Sequence, residues 1–171
     1  GMNELPMMDQ GALGFIVNEG GTGKLVNLPI LPASASVRSR KIDLTLQDGL
    51  PAAIDLKAEL SGTFAAEARQ RYHAKATQAN RISEDMRREF GGLSLLPGTQ
   101  GVETNDLENI ETPAQIHLKG RALGITKDRH NEYSVSPVPA ASLVASFAPL
   151  SERKSPVYLH FARTLNDEWT V

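Results

Sequence analysis

Between Arg40 and Leu60 the chain alternates with a period of two. Ile42, Leu44 and Leu46 are separated by Asp43 and Thr45; beyond Asp48-Gly49, Ile54, Leu56, Ala58 and Leu60 are separated by Asp55, Lys57 and Glu59. That period sends one set to each face of a strand. Asp-Gly favours a tight hairpin turn, because Gly takes positive φ freely and Asp tolerates it. The pattern predicts an antiparallel hairpin over 37–47 and 52–61 with one apolar and one wet face. The apolar face of such a ribbon requires a covering layer.

The next segment is predicted to supply it. No Gly or Pro occurs from Thr63 to Phe90, and Phe64, Ala68, Tyr72, Ala76, Ala79, Ile82, Met86 and Phe90 recur at three- and four-residue spacings, one helical stripe. Ser61 or Thr63 can cap its start and Gly91-Gly92 can end it. One straight helix would run about 40 Å at about 1.5 Å per residue, as wide as the whole domain, so a bend or break is expected. Thr77–Asn80 is the weakest stretch by propensity, and Ser83 could cap a second helix beyond it.

Elsewhere the signals are shorter. Residues 11–17, the turn-rich Asn18–Lys24 and the apolar Leu25–Leu28 predict a first hairpin before Pro29 and Pro32. Leu93–Gln100, with Pro97-Gly98, reads as a loop and Gly101–Leu107 as a short polar strand. After Pro113, Ala114–Leu123 alternates Ile116 and Leu118 with His117 and Lys119, a half-buried strand. Lys127–Glu132 reads as a charged turn; Tyr133–Ser136, Ala141–Phe147 and Val157–Phe161 are strand candidates between prolines. The expected fold is α+β: an antiparallel sheet on the Asp48-Gly49 hairpin, one or two helices on its apolar face, and extra C-terminal strands. The whole of 1–171 is expected to form one domain. Its expected core is Ile42, Leu44, Leu46, Ile54, Leu56, Leu60, Phe64, Tyr72, Ile82, Met86, Ile116 and Leu118.

Composition narrows the function. Eighteen basic against twenty acidic residues give a net charge of −2, with no excess of base to advertise nucleic acid. The absence of cysteine excludes disulfides, thiolate metal sites and a cysteine nucleophile in this chain. The longest apolar stretch, near 140–150, is too short to span a bilayer. Gly1-Met2 reads as an expression scar, with no charged-then-apolar leader after it.

Candidate chemistry is sparse. Glu19-Gly20-Gly21-Thr22-Gly23-Lys24 invites a phosphate-loop reading, but Asn18 stands where the first glycine is needed and Leu25 where the Ser or Thr is needed. A hairpin turn is the better reading. His73, His117, His130 and His160 show no metal-ligand spacing. Ser151-Glu152-Arg153-Lys154 matches a short acyl-transfer pattern without its companion motifs and lies between prolines. Glu103, Asp106, Glu108 and Glu111 lack the spacing of a calcium loop and read as a solvated segment. Arg69, Arg71, Arg81, Arg87 and Arg88 interleave with Glu67, Glu84, Asp85 and Glu89, as on a solvent-facing helix laced with ion pairs. No catalytic residue, cofactor or metal is expected.

The order of segments resembles the C-terminal β-rich region of bacterial transglutaminase-like proteins, a domain of unknown function that follows the transglutaminase core. The resemblance rests on Leu5-Pro6-Met7-Met8-Asp9-Gln10-Gly11, Leu28-Pro29, the Asp48-Gly49 turn between two strands, and Gly62-Thr63-Phe64-Ala65-Ala66-Glu67-Ala68-Arg69 opening a helix. It continues through Asn105-Asp106-Leu107, Pro113-Ala114-Gln115-Ile116 and Lys154-Ser155-Pro156-Val157-Tyr158-Leu159. It implies a non-catalytic accessory or interaction domain, with the adjacent transglutaminase-like domain of the parent chain as its partner. The catalytic Cys, His and Asp would lie upstream of Gly1. It also implies a periplasmic or otherwise exported location, and further β-segments beyond Val171. Two rival readings stand beside it. A stand-alone glycan- or peptide-binding module predicts an exposed aromatic cluster from Tyr133, Tyr158 and Trp169. An enzyme predicts convergence of His117, His130 and Asp128 in a pocket.

Overall fold

The period-two segments form the middle of a six-stranded sheet. A computed structural model describes residues 5–47, 50–90, 94–95, 101–123, 126–129, 132–135 and 162–171. In chain order the elements are β1 (Leu13–Val17), β2 (Gly23–Asn27), β3 (Val37–Gln47), β4 (Leu50–Leu60), α1 (Thr63–Tyr72), α2 (Lys75–Glu89), β5 (Ser94–Leu95), β6 (Gly101–Thr104), β7 (Ala114–Leu123), β8 (Thr126–Arg129), β9 (Glu132–Val135) and β10 (Thr164–Thr170). The central sheet runs β10-β3-β4-β7, with β5 and β6 pairing successive stretches of the far side of β7. β4 is antiparallel to both of its neighbours, β3 and β7, whereas β10 lies parallel to β3. Two separate hairpins, β1–β2 and β8–β9, complete the described sheets.

The register explains the core. Ile42 faces Leu56 and Leu44 faces Ile54 across β3–β4; Leu56 faces Leu118 and Ala58 faces Ile116 across β4–β7. These residues share one side of the pleat. α1 and α2 cover that side with Ala65, Ala68, Tyr72, Ile82 and Met86, all buried, while Ile42, Leu56, Ile82 and Leu118 lose essentially all solvent contact. Apolar area removed from water on both partners holds the layers together. The expected α+β fold and hairpin are thus observed, and ten of the expected core positions are buried, with Leu46 and Phe64 packed at the margin.

The helical layer differs in one respect. The chain breaks at His73-Ala74, a few residues before the predicted Thr77–Asn80, and Ser83 lies buried inside α2 and caps nothing. The early break resets the helical phase, which leaves Ala76 and Ala79 exposed although they continue the stripe set by Phe64 and Tyr72. Neither Ser61 nor Thr63 caps α1. Gly62 holds the cap position at φ 58°, and the Thr63 N–H is donated to Ser36 Oγ at 3.1 Å, from the 3-10 turn Ala33–Ala35. Ser61 Oγ instead accepts the Val37 N–H at 3.2 Å. A serine 27 positions earlier therefore satisfies an orphan helix donor.

Three further expectations change. Lys127–Arg129 belongs to β8 rather than to a charged turn, Ser94–Leu95 pairs with β7 as β5 within the segment Leu93–Gln100 read as a loop, and Thr164–Thr170 forms a strand that its composition does not announce. The Asp48-Gly49 turn, the Gly91-Gly92 helix stop, the Pro97-Gly98 loop and the candidate strands at 141–147 and 157–161 lie outside the described residues.

Candidate functional site

The face of the central sheet opposite the helices, open among the described residues, carries the polar partners of the core strands. Lys41, Asp55, Lys57, Glu59, Gln115, His117, Lys119, Asn166 and Glu168 all occupy it, because each alternates with a residue that faces the helices. The face is concave. A trough of about 1070 Å³ runs across it, lined among others by Lys41, Lys57, Glu59, Glu103, Gln115 and His117.

His117 is the hub of this surface. Its Nε2 lies 2.7 Å from Asp55 Oδ1 on β4, and its Nδ1 lies 3.6 Å from Glu103 Oε2 on β6. Lys119 Nζ stands 3.6 Å from the other Asp55 oxygen. Partial burial pushes the Asp55 carboxyl up, but the hydrogen bond and charge of His117, with Lys119 and Lys57, outweigh it and hold the group below its ordinary range. The floor of the trough is thus a network of opposed charges that satisfy one another: Gln115 Nε2 donates to Glu59 at 3.3 Å and Lys41 faces Glu168 at 3.9 Å.

The sequence candidates fall as follows. His117 meets Asp55 and Glu103; Asp128 sits on β8 opposite Tyr133, in a different sheet. His130, His160, Tyr158 and Ser151–Lys154 lie outside the described residues. Trp169 is half-buried on the helix side of β10, edge-on to Phe90 with ring centroids 5.6 Å apart, so it serves packing rather than a groove. His73 is exposed, its Nδ1 2.7 Å from the Gln70 carbonyl oxygen. Asn18–Lys24 is the hairpin turn expected, closed by the Asn18 N–H donated to Thr22 O at 2.7 Å, with Gly21 at φ 74°. Asp106 and Asn109 accept the Glu108 and Glu111 backbone N–H groups in local turns, and among the described residues no three acidic or histidine side chains form a metal-binding group. Among the same residues no helix is long and apolar enough to cross a membrane.

Two arginines have roles that the helix pattern did not reveal. Arg69 donates from Nε to Leu107 O at 3.1 Å and from Nη2 to Asn109 O and Thr112 O at 3.0 and 2.5 Å, so one guanidinium pins the loop that leads into β7. Arg71 forms a two-pronged pair with Asp85, which also accepts the Tyr72 hydroxyl at 2.8 Å and clamps α1 to α2. Glu89 departs from the expected surface pattern by reaching Arg38 and Arg40 on β3, whereas Arg88 follows it, facing both Glu84 and Asp85.

A contiguous exposed apolar face lies elsewhere among the described residues. On β1–β2, Phe15 pairs with Leu25, flanked by Leu13 and Val17 on the same face. All four are more than 60% exposed. A lone two-stranded ribbon is marginal in water, and contiguous exposed apolar surface marks an interaction site.

No known family's sequence model matches the chain, and no characterised protein or solved structure is significantly similar to it.

Proposed function

We propose that this chain is a non-catalytic accessory domain of a larger bacterial transglutaminase-like protein, and that it acts by packing against its neighbouring domain. The observation that carries this reading is the exposed apolar face of the β1–β2 hairpin, Leu13, Phe15, Val17 and Leu25. A two-stranded ribbon gains little by presenting such a face to water; it gains by burying it against another surface. The charged groups of the trough support the same reading, since they are spent on one another rather than directed at a common point. The order of motifs from Leu5 to Leu159 supplies the identity of the neighbour, a papain-like transglutaminase core preceding this domain, and with it an exported location.

The test has two parts. The coding sequence upstream of Asn3 is expected to encode that core. The domain alone is expected to show no transamidase, amidase or peptidase turnover on peptide glutamine and amide substrates, while the parent chain does. Turnover by the isolated domain, or an unrelated upstream domain, overturns the proposal.

A further inference from the structure

The β1–β2 ribbon stands apart from the core that the rest of the chain builds. Among the described residues, every member of the hydrophobic core lies at Ile42 or beyond, and β1 and β2 pair with each other and with no other strand. Ties to the central sheet begin at Ala33. The Thr164 hydroxyl donates to Ala33 O at 3.1 Å, the Thr164 N–H to Ser36 O at 2.9 Å, and the Thr63 N–H to Ser36 Oγ. Ahead of Pro32 the hydrogen bonds stay local: the Leu28 N–H donates to Ala12 O at 2.8 Å and the Leu31 N–H to Gln10 Oε1 at 3.1 Å. Seven of the eleven large apolar side chains that stand exposed among the described residues lie between Met8 and Ile30, so this segment still lacks its cover.

The residues of the ribbon say what kind of cover it needs. β3 and β4 alternate, as strands with one wet face do. β1 reads Leu13-Gly14-Phe15-Ile16-Val17 without a polar residue, and β2 sets Leu25 beside Val26. An unbroken apolar run is the mark of a strand covered on both faces. Here both are bare: Phe15 on one face is 63% exposed and Ile16 on the other 47%. A bilayer does not suit it, because the polar tip Asn18–Lys24, with Glu19 and Lys24, would enter first. A second copy stacked on the Phe15 face does not suit it either. Four side chains of this size offer roughly 250–500 Å² per copy, so the pair falls short of the about 1,200 Å² of a stable interface and leaves Ile16 wet. A domain in the same chain needs less area, since the tether raises the effective concentration.

We infer that β1–β2 is the completing strand pair of the neighbouring domain's sheet. An edge of the ribbon pairs with an open edge of that sheet, and apolar layers close over Leu13, Phe15, Val17 and Leu25 on one side and over Ile16 on the other. Pro29 and Pro32, which have no amide to donate, end the ladder and join the ribbon to the helix-covered sheet. This inference rests on the reading that the domain packs against a neighbour. It narrows the partner to an open-edged sheet with apolar cover on both sides, and it holds whether or not that neighbour is a transglutaminase core.

Residue-resolved amide hydrogen exchange tests it by comparing the 171-residue chain with the parent chain. In the 171-residue chain the ladder amides of β1–β2 are expected to be protected less than about tenfold, far below the amides of Leu56 and Leu118. In the parent their protection is expected to rise by about a hundredfold or more. Phe15→Ser and Ile16→Ser in the parent are each expected to remove that gain. Both side chains are exposed in the domain itself, so neither variant unsettles its core. Loss of the gain with Phe15→Ser alone means a ribbon laid down by one face, which overturns this inference and leaves the packing reading standing. No gain of protection in the parent overturns both.

Discussion

Arg40 on β3 and Asp167 on β10 meet in a two-pronged pair, Nε to Oδ1 at 2.8 Å and Nη2 to Oδ2, across 127 positions of sequence. The Arg40 side chain is 2% exposed, and its Nη1 lies 2.9 Å from Glu89 at the end of α2. The guanidinium also lies over the Phe90 ring, 5.0 Å from its centroid. Arg38 reaches the same Glu89 oxygen at 2.5 Å. One buried cation thus joins the edge strand, the hairpin and the helical layer, and its planar fork suits the carboxylate better than an ammonium.

Removing the anion strands the cation. Asp167→Asn is expected to destabilise the domain by about 2–3 kcal/mol in urea unfolding. That is less than the roughly 3–5 kcal/mol for breaking a fully buried pair, because Glu89 still faces Arg40. Arg40→Lys is expected to retain only part of the stability, since a single ammonium cannot reproduce both prongs.

Acid is expected to act on the same contacts. Burial raises Asp167 and Asp85, but the hydrogen bonds and charges of Arg40 and Arg71, respectively, outweigh it, and both carboxyls are held below the ordinary 3.8, as is Asp55 beside His117. A carboxyl with a depressed native pKa binds fewer protons folded than unfolded. Its contribution is fully present well above 3.8 and is lost as pH falls through the native value. Stability followed by urea titration is therefore expected to decline below about pH 5, with a shallower decline in Asp167→Asn.

Gly62 has no room for a side chain. Its φ is +58°, and a Cβ there would run into the Ala35 carbonyl oxygen and Ser36 Oγ. Gly62→Ala is expected to cost about 2–4 kcal/mol, from left-handed strain and from displacing the turn that caps α1. Ser36→Ala, which removes the oxygen that accepts both the Thr63 N–H and the Thr63 hydroxyl, is expected to cost about 1 kcal/mol. Thermal unfolding of the two variants separates the terms.

The β1–β2 face is expected to behave in the opposite way. Leu25→Ser and Val17→Thr remove apolar surface that is already in water, so the isolated domain should change stability by less than about 0.5 kcal/mol. In the parent chain the same changes are expected to loosen the domain against its neighbour, seen as faster proteolytic cleavage in the hairpin. Unchanged proteolysis of the parent would argue against this face as the contact.

The alternation through Ile42–Leu46 and Ile54–Leu60 gave both strands and the buried face, because each residue's side is fixed by its parity. The helix break was harder to place. Propensity pointed to Thr77–Asn80, but α2 starts at Lys75, where the chain re-enters to lay Ile82 and Met86 on the sheet. β10 was hidden because one of its inward residues is Asp167, polar in sequence and intelligible only once Arg40 lies across from it. The same holds for the candidate site. His117 was placed on the wet side of its strand, yet Asp55 is 62 positions away and Glu103 belongs to another strand, so nothing local linked them.

The parallel pairing of β10 with β3 has a consequence for biosynthesis. An edge of the sheet that forms early can be completed only when Thr164–Thr170 has emerged from the ribosome. At about 5–20 residues per second the intervening chain takes on the order of ten seconds to synthesise. During that interval the Arg40 guanidinium lacks the Asp167 carboxylate and the outer side of β3 offers unpaired amides, so the nascent chain has most need of a chaperone just before β10 arrives.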